Sequence, residues 1–250
     1  MKKLAVLLVA AAFIVPVVHG QTVLSKNAVG YVKVSIPPGG NFNLVAFNFR
    51  AVGGGDMTIE ELFGTDQLTQ GVVPTLADLI SFWNGATYDS YFQKADGKFY
   101  SAADPFGASV NPTVTAGQPF WVQSPSTAVT TNEVYLMGEV VGAASATQSL
   151  QTSLNHLNSP FAADLVMTNN DYLAEGGTGG LVPTLADVLS VWNGTGYTVS
   201  FLKSSGAWGD ANDPFGADVS PVVPVGVGAW YDAKAAFDTT LDRPYTYPAD

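Results

Sequence analysis

The chain has 250 residues, no cysteine, only 12% charged residues and a formal net charge of −11. So acidic a surface argues against nucleic acid and anionic membranes, which need basic patches to bind phosphate. Without cysteine no disulfide or thiolate metal site can support the fold, so it relies on cores of Val, Leu, Phe, Tyr and Trp.

The chain opens with Met1-Lys2-Lys3, runs through the apolar stretch 4–18 and reaches Val18-His19-Gly20, with compact residues where a signal peptidase reads. The stretch is short for a membrane span, and Pro16 near its end suits a cleaved signal. Residues 1–20 are expected to leave on export. The mature chain then starts near Gln21 with eight basic and 21 acidic residues, a net charge of −13. Nothing later is apolar for long enough to span a bilayer. The expected location is secreted, either extracellular or periplasmic.

Beyond the signal, apolar residues alternate in short runs cut by Gly, Pro, Asn and Asp, the pattern of many short strands. It predicts strands over 29–36, 43–49, 80–83, 88–93, 98–100, 119–123 and 133–140, then over 153–157, 189–192, 197–202, 226–231 and 241–247. Thr58, three residues before Glu61, predicts a capping box that opens a short helix. Thr75-Leu76-Ala77-Asp78 and Thr184-Leu185-Ala186-Asp187, each preceded by Pro, predict weaker starts of the same kind.

Segment 71–121 recurs as 180–230, offset by 109 residues without a gap and with 26 identities in 51 positions. The shared words are PTLAD (74–78 and 183–187), WNG (83–85 and 192–194) and DPFGA (104–108 and 213–217). That period is too long for a solenoid repeat and suits a small domain. The fold expected is all-β: two tandem sandwich-like or barrel-like modules from an internal duplication, residues 21–139 and 140–250. No linker separates them, so they should pack closely about a pseudo-twofold axis. WNG marks a hairpin turn, with Trp83 and Tyr88, and Trp192 and Tyr197, as flanking cross-strand aromatic pairs. DPFGA reads as a second turn.

Candidate chemistry is sparse. His156 is the one histidine of the mature chain, set against 45–47 in the first half, and reads as a strand residue with a satisfied hydrogen bond. It leaves neither a zinc site nor a serine-histidine triad. The five glutamates, Glu60, Glu61, Glu133, Glu139 and Glu175, do not recur between halves, and Glu60 and Glu61 suit the first turn of a helix. Asp210, Asn212, Asp213 and Asp218 crowd one loop at spacings that oxygen ligands of Ca²⁺ use, although only Asp104 matches them in the first half. An Asp/Asn turn is the alternative. Four of the five tryptophans are shared, Trp83 with Trp192 and Trp121 with Trp230, while Trp208 matches Phe99. They are either core residues that a duplicated fold must keep or platforms on which sugars stack.

The ordered words resemble a group of exported bacterial proteins of the Verrucomicrobia type. The likeness lies in VGYVKVSIPPG at 29–39, NLVAFN at 43–48, WNGATY at 83–88, the segment PTVTAGQPFWVQSP at 112–125 and GEV at 138–140. It weakens in the second half, where Gly226-Val227-Gly228-Ala229-Trp230-Tyr231 replaces the aromatic-Val-Gln pattern. The resemblance implies a fold and an export route and no activity. The function expected is a non-enzymatic structural or interaction protein of the cell envelope or extracellular matrix, self-associating in one version. The alternative is a carbohydrate-binding module that uses exposed aromatics, with Trp83, Tyr88, Trp192, Tyr197 and Trp208 as the ligand candidates, on an extracellular glycan.

Overall fold

The computed structural model describes residues 28–247, so the expected signal segment 1–20 lies outside them. The chain is all-β, built from several antiparallel sheets in a sandwich-like arrangement. Among the described residues, no helix is long and apolar enough to cross a membrane.

In the first half, Val29–Ile36 pairs antiparallel along its whole length with Asn132–Val140, which also carries the short strand Phe49–Arg50. A six-stranded sheet runs in the order Phe42–Phe47, Gln118–Gln123, Leu79–Trp83, Tyr88–Gln93, Phe99–Ser101, Ser109–Val110. The second half has a six-stranded sheet of the same order: Ser153–Leu157, Ala229–Ala233, Val188–Trp192, Tyr197–Leu202, Trp208–Asp210, Asp213–Val219. Its closing pair is Ser145–Leu150 with Phe237–Asp242.

Alternation gives each sheet an inner face. Val45, Phe47, Ile80, Phe82, Phe120 and Val122 join Ile59, Leu62 and Phe63 of the helix in one core. Leu157, Leu189, Val191, Leu202, Trp208 and Tyr231 lie in the other. The capping box holds as expected: Thr58 Oγ1 accepts from Glu61 N–H and Glu61 accepts from Thr58 N–H, opening Ile59–Phe63.

Several strand boundaries differ from expectation. The run 43–49 breaks at Asn48, whose buried amide makes contacts of its own. The run 226–231 starts at Ala229, because Gly226 has φ 80° and Val227 N–H closes a turn on Pro224 O. The last strand is Phe237–Asp242 and not 241–247, and Ser145–Leu150 was hidden by its polar sequence, SATQSL. PTLAD forms 3-10 turns at Pro74–Leu76 and Pro183–Leu185 without a side-chain cap. Its aspartates instead tie loops. Asp78 Oδ2 accepts Thr69 N–H at 2.7 Å and Asp187 Oδ2 accepts Thr178 N–H at 2.9 Å. DPFGA is a turn in the first half, with Gly107 N–H bonded to Asp104 O, but lies within the strand Asp213–Val219 in the second.

Candidate functional site

The WNG hairpins form as the sequence indicates. Asn84 Oδ1 accepts the N–H groups of Ala86 and Thr87, Asn193 Oδ1 accepts those of Thr195 and Gly196, and Gly85 and Gly194 take φ near 97° and 96°. Each turn aligns an aromatic pair directly across the strands, Trp83 with Tyr88 and Trp192 with Tyr197, with ring centroids 5.2 Å apart in both.

These pairs meet between the halves. Trp83 packs edge to face on Trp230 at 5.7 Å, and Trp121 packs in the same way on Trp192 at 5.2 Å. Trp121 Nε1–H donates to Tyr88 Oη at 3.1 Å, and Tyr197 hydrogen-bonds Trp230 at the matched place. Burial raises the Tyr197 phenol above its usual range. The four shared tryptophans are half-buried. They lie outside the core of either half and form the junction, where Trp121 and Trp192 also border an outer groove. Trp208 is different. It is buried against Tyr172 and Tyr231, so no ligand reaches it from solvent, and its counterpart Phe99 is equally buried.

The backbone reinforces the junction. Ala46 N–H bonds Gly226 O and Gly228 N–H bonds Leu44 O, both at 3.1 Å, making a bridge between Val45 and Val227. Buried Asn48 donates to Ser159 O and accepts from Gly226 N–H, both at 2.7 Å. A Cβ on Gly228 would sit 2.6 Å from Leu44 Cγ. That close approach is why glycine stands here, where the first half has Pro119.

His156 lies in Ser153–Leu157 opposite Trp230, its ring 4.0 Å away, beside a cavity of about 340 Å³ between the halves. Its structural counterpart is Leu44, which stands opposite Trp121, and not the stretch 45–47. Burial pushes the imidazole down to about 4, opposed by a contact with the Pro119 carbonyl. The expected hydrogen bonding is incomplete, since Nε2 is buried without a partner.

The aspartate-rich loop does not converge on a point. Asp210 Oδ1 accepts Asn212 N–H, Asp218 pairs with Lys203 Nζ at 2.8 Å, and Asp213 folds back toward Gly216. Among the described residues no three His, Asp or Glu side chains gather into a metal-binding group. Two of the glutamates serve structure. Glu139, held low by Gly53 N–H, then by Arg50 at 2.5 Å, is buried. Glu175 accepts from Thr239 Oγ1 and Thr240 N–H.

Two features escaped the sequence reading. One is an open groove of about 370 Å³ on the outer face of the first six-stranded sheet, where Phe42 joins Tyr88, Trp121 and Trp192. Phe42, alternating with core residues at a strand start, was the available signal. The other is the matched exposure of Phe106 (81%) and Phe215 (83%) within the two DPFGA words.

No family model, curated protein or solved structure matches the chain.

Proposed function

We propose that the chain is a secreted, non-enzymatic interaction protein of the cell envelope or extracellular matrix, in which two modules joined by aromatic packing present a matched pair of apolar contacts to further copies. The observation that carries this reading is the exposure of Phe106 and Phe215, 109 residues apart at the same place in the two DPFGA words. A single exposed apolar residue is ordinary, but the same aromatic held out at two matched positions, once on a turn and once on an edge strand, is not. In each word the aspartate carboxylate occupies the space beside glycine: an added Cβ on Gly107 or Gly216 would lie 2.2 or 2.3 Å from Asp104 or Asp213 Oδ2. In each a lysine anchors the segment by a carbonyl, Lys94 on Pro105 O and Lys203 on Gly216 O.

Several other recurring residues have structural work: the aspartates of PTLAD tie loops, the asparagines of WNG close turns, and the tryptophans join the halves. This favours a scaffold over a catalyst. Two apolar tips on one body give a bivalent unit, and contacts between unlike surfaces on successive copies would propagate into chains or sheets. Sedimentation velocity of the mature chain across a wide concentration range tests the reading. Concentration-dependent growth, lost in the double variant Phe106→Ser and Phe215→Ser, is expected. A monomer at every concentration would sink it.

A further inference from the structure

The residues of the outer groove stand in rows set by strand register. Trp121 lies opposite Ser81, which lies opposite Ser90; in the next row Phe42 lies opposite Gln123, which lies opposite Leu79. Trp192 from the second half lines the groove with its ring at 80° to Trp121, and Phe42 meets Trp121 at 82°. The rings are therefore set nearly at right angles, as walls of a notch and not a closed stack. Phe42 remains 48% exposed and Tyr88 38%, so apolar surface is left for a ligand to cover.

The polar groups beside these rings are neutral and oriented. Ser81 and Ser90 hydroxyls share one hydrogen bond of 2.7 Å, which leaves one hydroxyl proton to donate. Tyr88 Oη accepts from Trp121, so its own proton points elsewhere. Gln123 Nε2 donates to Gly40 O at 2.9 Å, which leaves Oε1 as an acceptor. No Asp, Glu, Lys, Arg or His lines the groove, although the chain carries 21 acidic residues.

The geometry points to a binding site for a neutral pyranose unit of a glycan chain, its C–H face against Phe42, Tyr88 and Trp121 and its hydroxyls on Ser81, Ser90 and Gln123. A pyranose presents an apolar face and a rim of groups that both donate and accept, which is what this surface complements. An anionic sugar would find no cation here, and a purely apolar peptide would leave the hydroxyls and the amide unpaired. The second half is not equivalent. Asp232 stands opposite Val188 where Gln123 stands opposite Leu79, paired with Lys234 at 2.6 Å, so one site per chain is expected. This site goes beyond the self-association reading and uses different residues.

The test is titration of the mature chain with cellohexaose, xylohexaose and mannohexaose, with hexagalacturonate and a phenylalanine-rich peptide as contrasts, followed by tryptophan fluorescence and calorimetry. At least one neutral hexasaccharide should bind at a stoichiometry near one and shift the emission. Phe42→Ala, at an exposed position, and Gln123→Ala, at a half-buried one, should each weaken it about tenfold while the circular dichroism spectrum stays that of the parent. Phe106→Ser with Phe215→Ser should leave binding intact, which separates this site from self-association. The proposal is overturned by silence from all three neutral sugars up to ~10 mM, by binding indifferent to both groove variants, or by a preference for hexagalacturonate or the peptide.

Discussion

Trp83 and Trp230, one from each half of the chain, meet edge to face at 5.7 Å, and the matched pair Trp121 and Trp192 meets at 5.2 Å. Each half thus contributes one hairpin tryptophan and one neighbouring-strand tryptophan, and the two contacts cross. Such ring pairs contribute ~0.5–1.5 kcal/mol beyond simple burial. A double-mutant cycle on Trp83 and Trp230, read by urea unfolding, should give a coupling of that size. Unfolding should also be a single transition for both halves; two separate transitions would mean that the junction does not couple them.

Asn48 closes the same junction from below. Replacing it with Ala strips Ser159 O and Gly226 N–H of a buried partner. Each orphaned group costs about 1–3 kcal/mol, so Asn48→Ala should lower stability by ~2–6 kcal/mol. A loss under half a kilocalorie, on the order of a surface substitution, would show that water replaces the amide without penalty.

Gly228 tests the close approach directly. A methyl group there meets Leu44 Cγ at 2.6 Å, so Gly228→Ala should cost ~1–3 kcal/mol as overpacking. In a Leu44→Ala background most of that penalty should vanish, since the colliding atoms are gone. Equal penalties in both backgrounds would place the strain elsewhere.

His156 makes stability depend on pH. Its folded value of about 4 lies below the ordinary histidine value of 6.5, so between these the unfolded chain takes up a proton that the folded chain refuses. Its contribution is complete above pH 6.5 and declines as pH falls toward 4. His156→Leu, which installs the side chain found at the matched Leu44, should therefore gain on the parent as pH drops from 7 to 4.5. The difference in thermal midpoint between the two proteins isolates this term from the carboxylates. A constant difference across the range would rule out a buried neutral imidazole.

Much of the architecture was legible because it depends on local patterns. Alternation located Val29–Ile36, Tyr88–Gln93, Ser153–Leu157 and Tyr197–Leu202 to the residue. Thr58 and Glu61 announced the helix start, and the two WNG words announced their turns, since each motif satisfies backbone groups within a few residues of itself. Ser145–Leu150 was illegible for the converse reason. Its stability comes from a partner nearly a hundred residues away and not from its own polar sequence.

The site was read less well. Tyr88, Trp121 and Trp192 belong to the groove, whereas Trp208 is core, Trp83 and Tyr197 serve the junction, and Phe42 was not foreseen. Aromatic content is visible in a sequence, but a ring's exposure depends on what another segment lays against it. Repetition, alternation and turn chemistry therefore determined that this chain is β-structured in two like halves. Only the tertiary structure decided that the shared tryptophans face each other across those halves, because that contact exists only when strands remote in sequence bring their outer faces together.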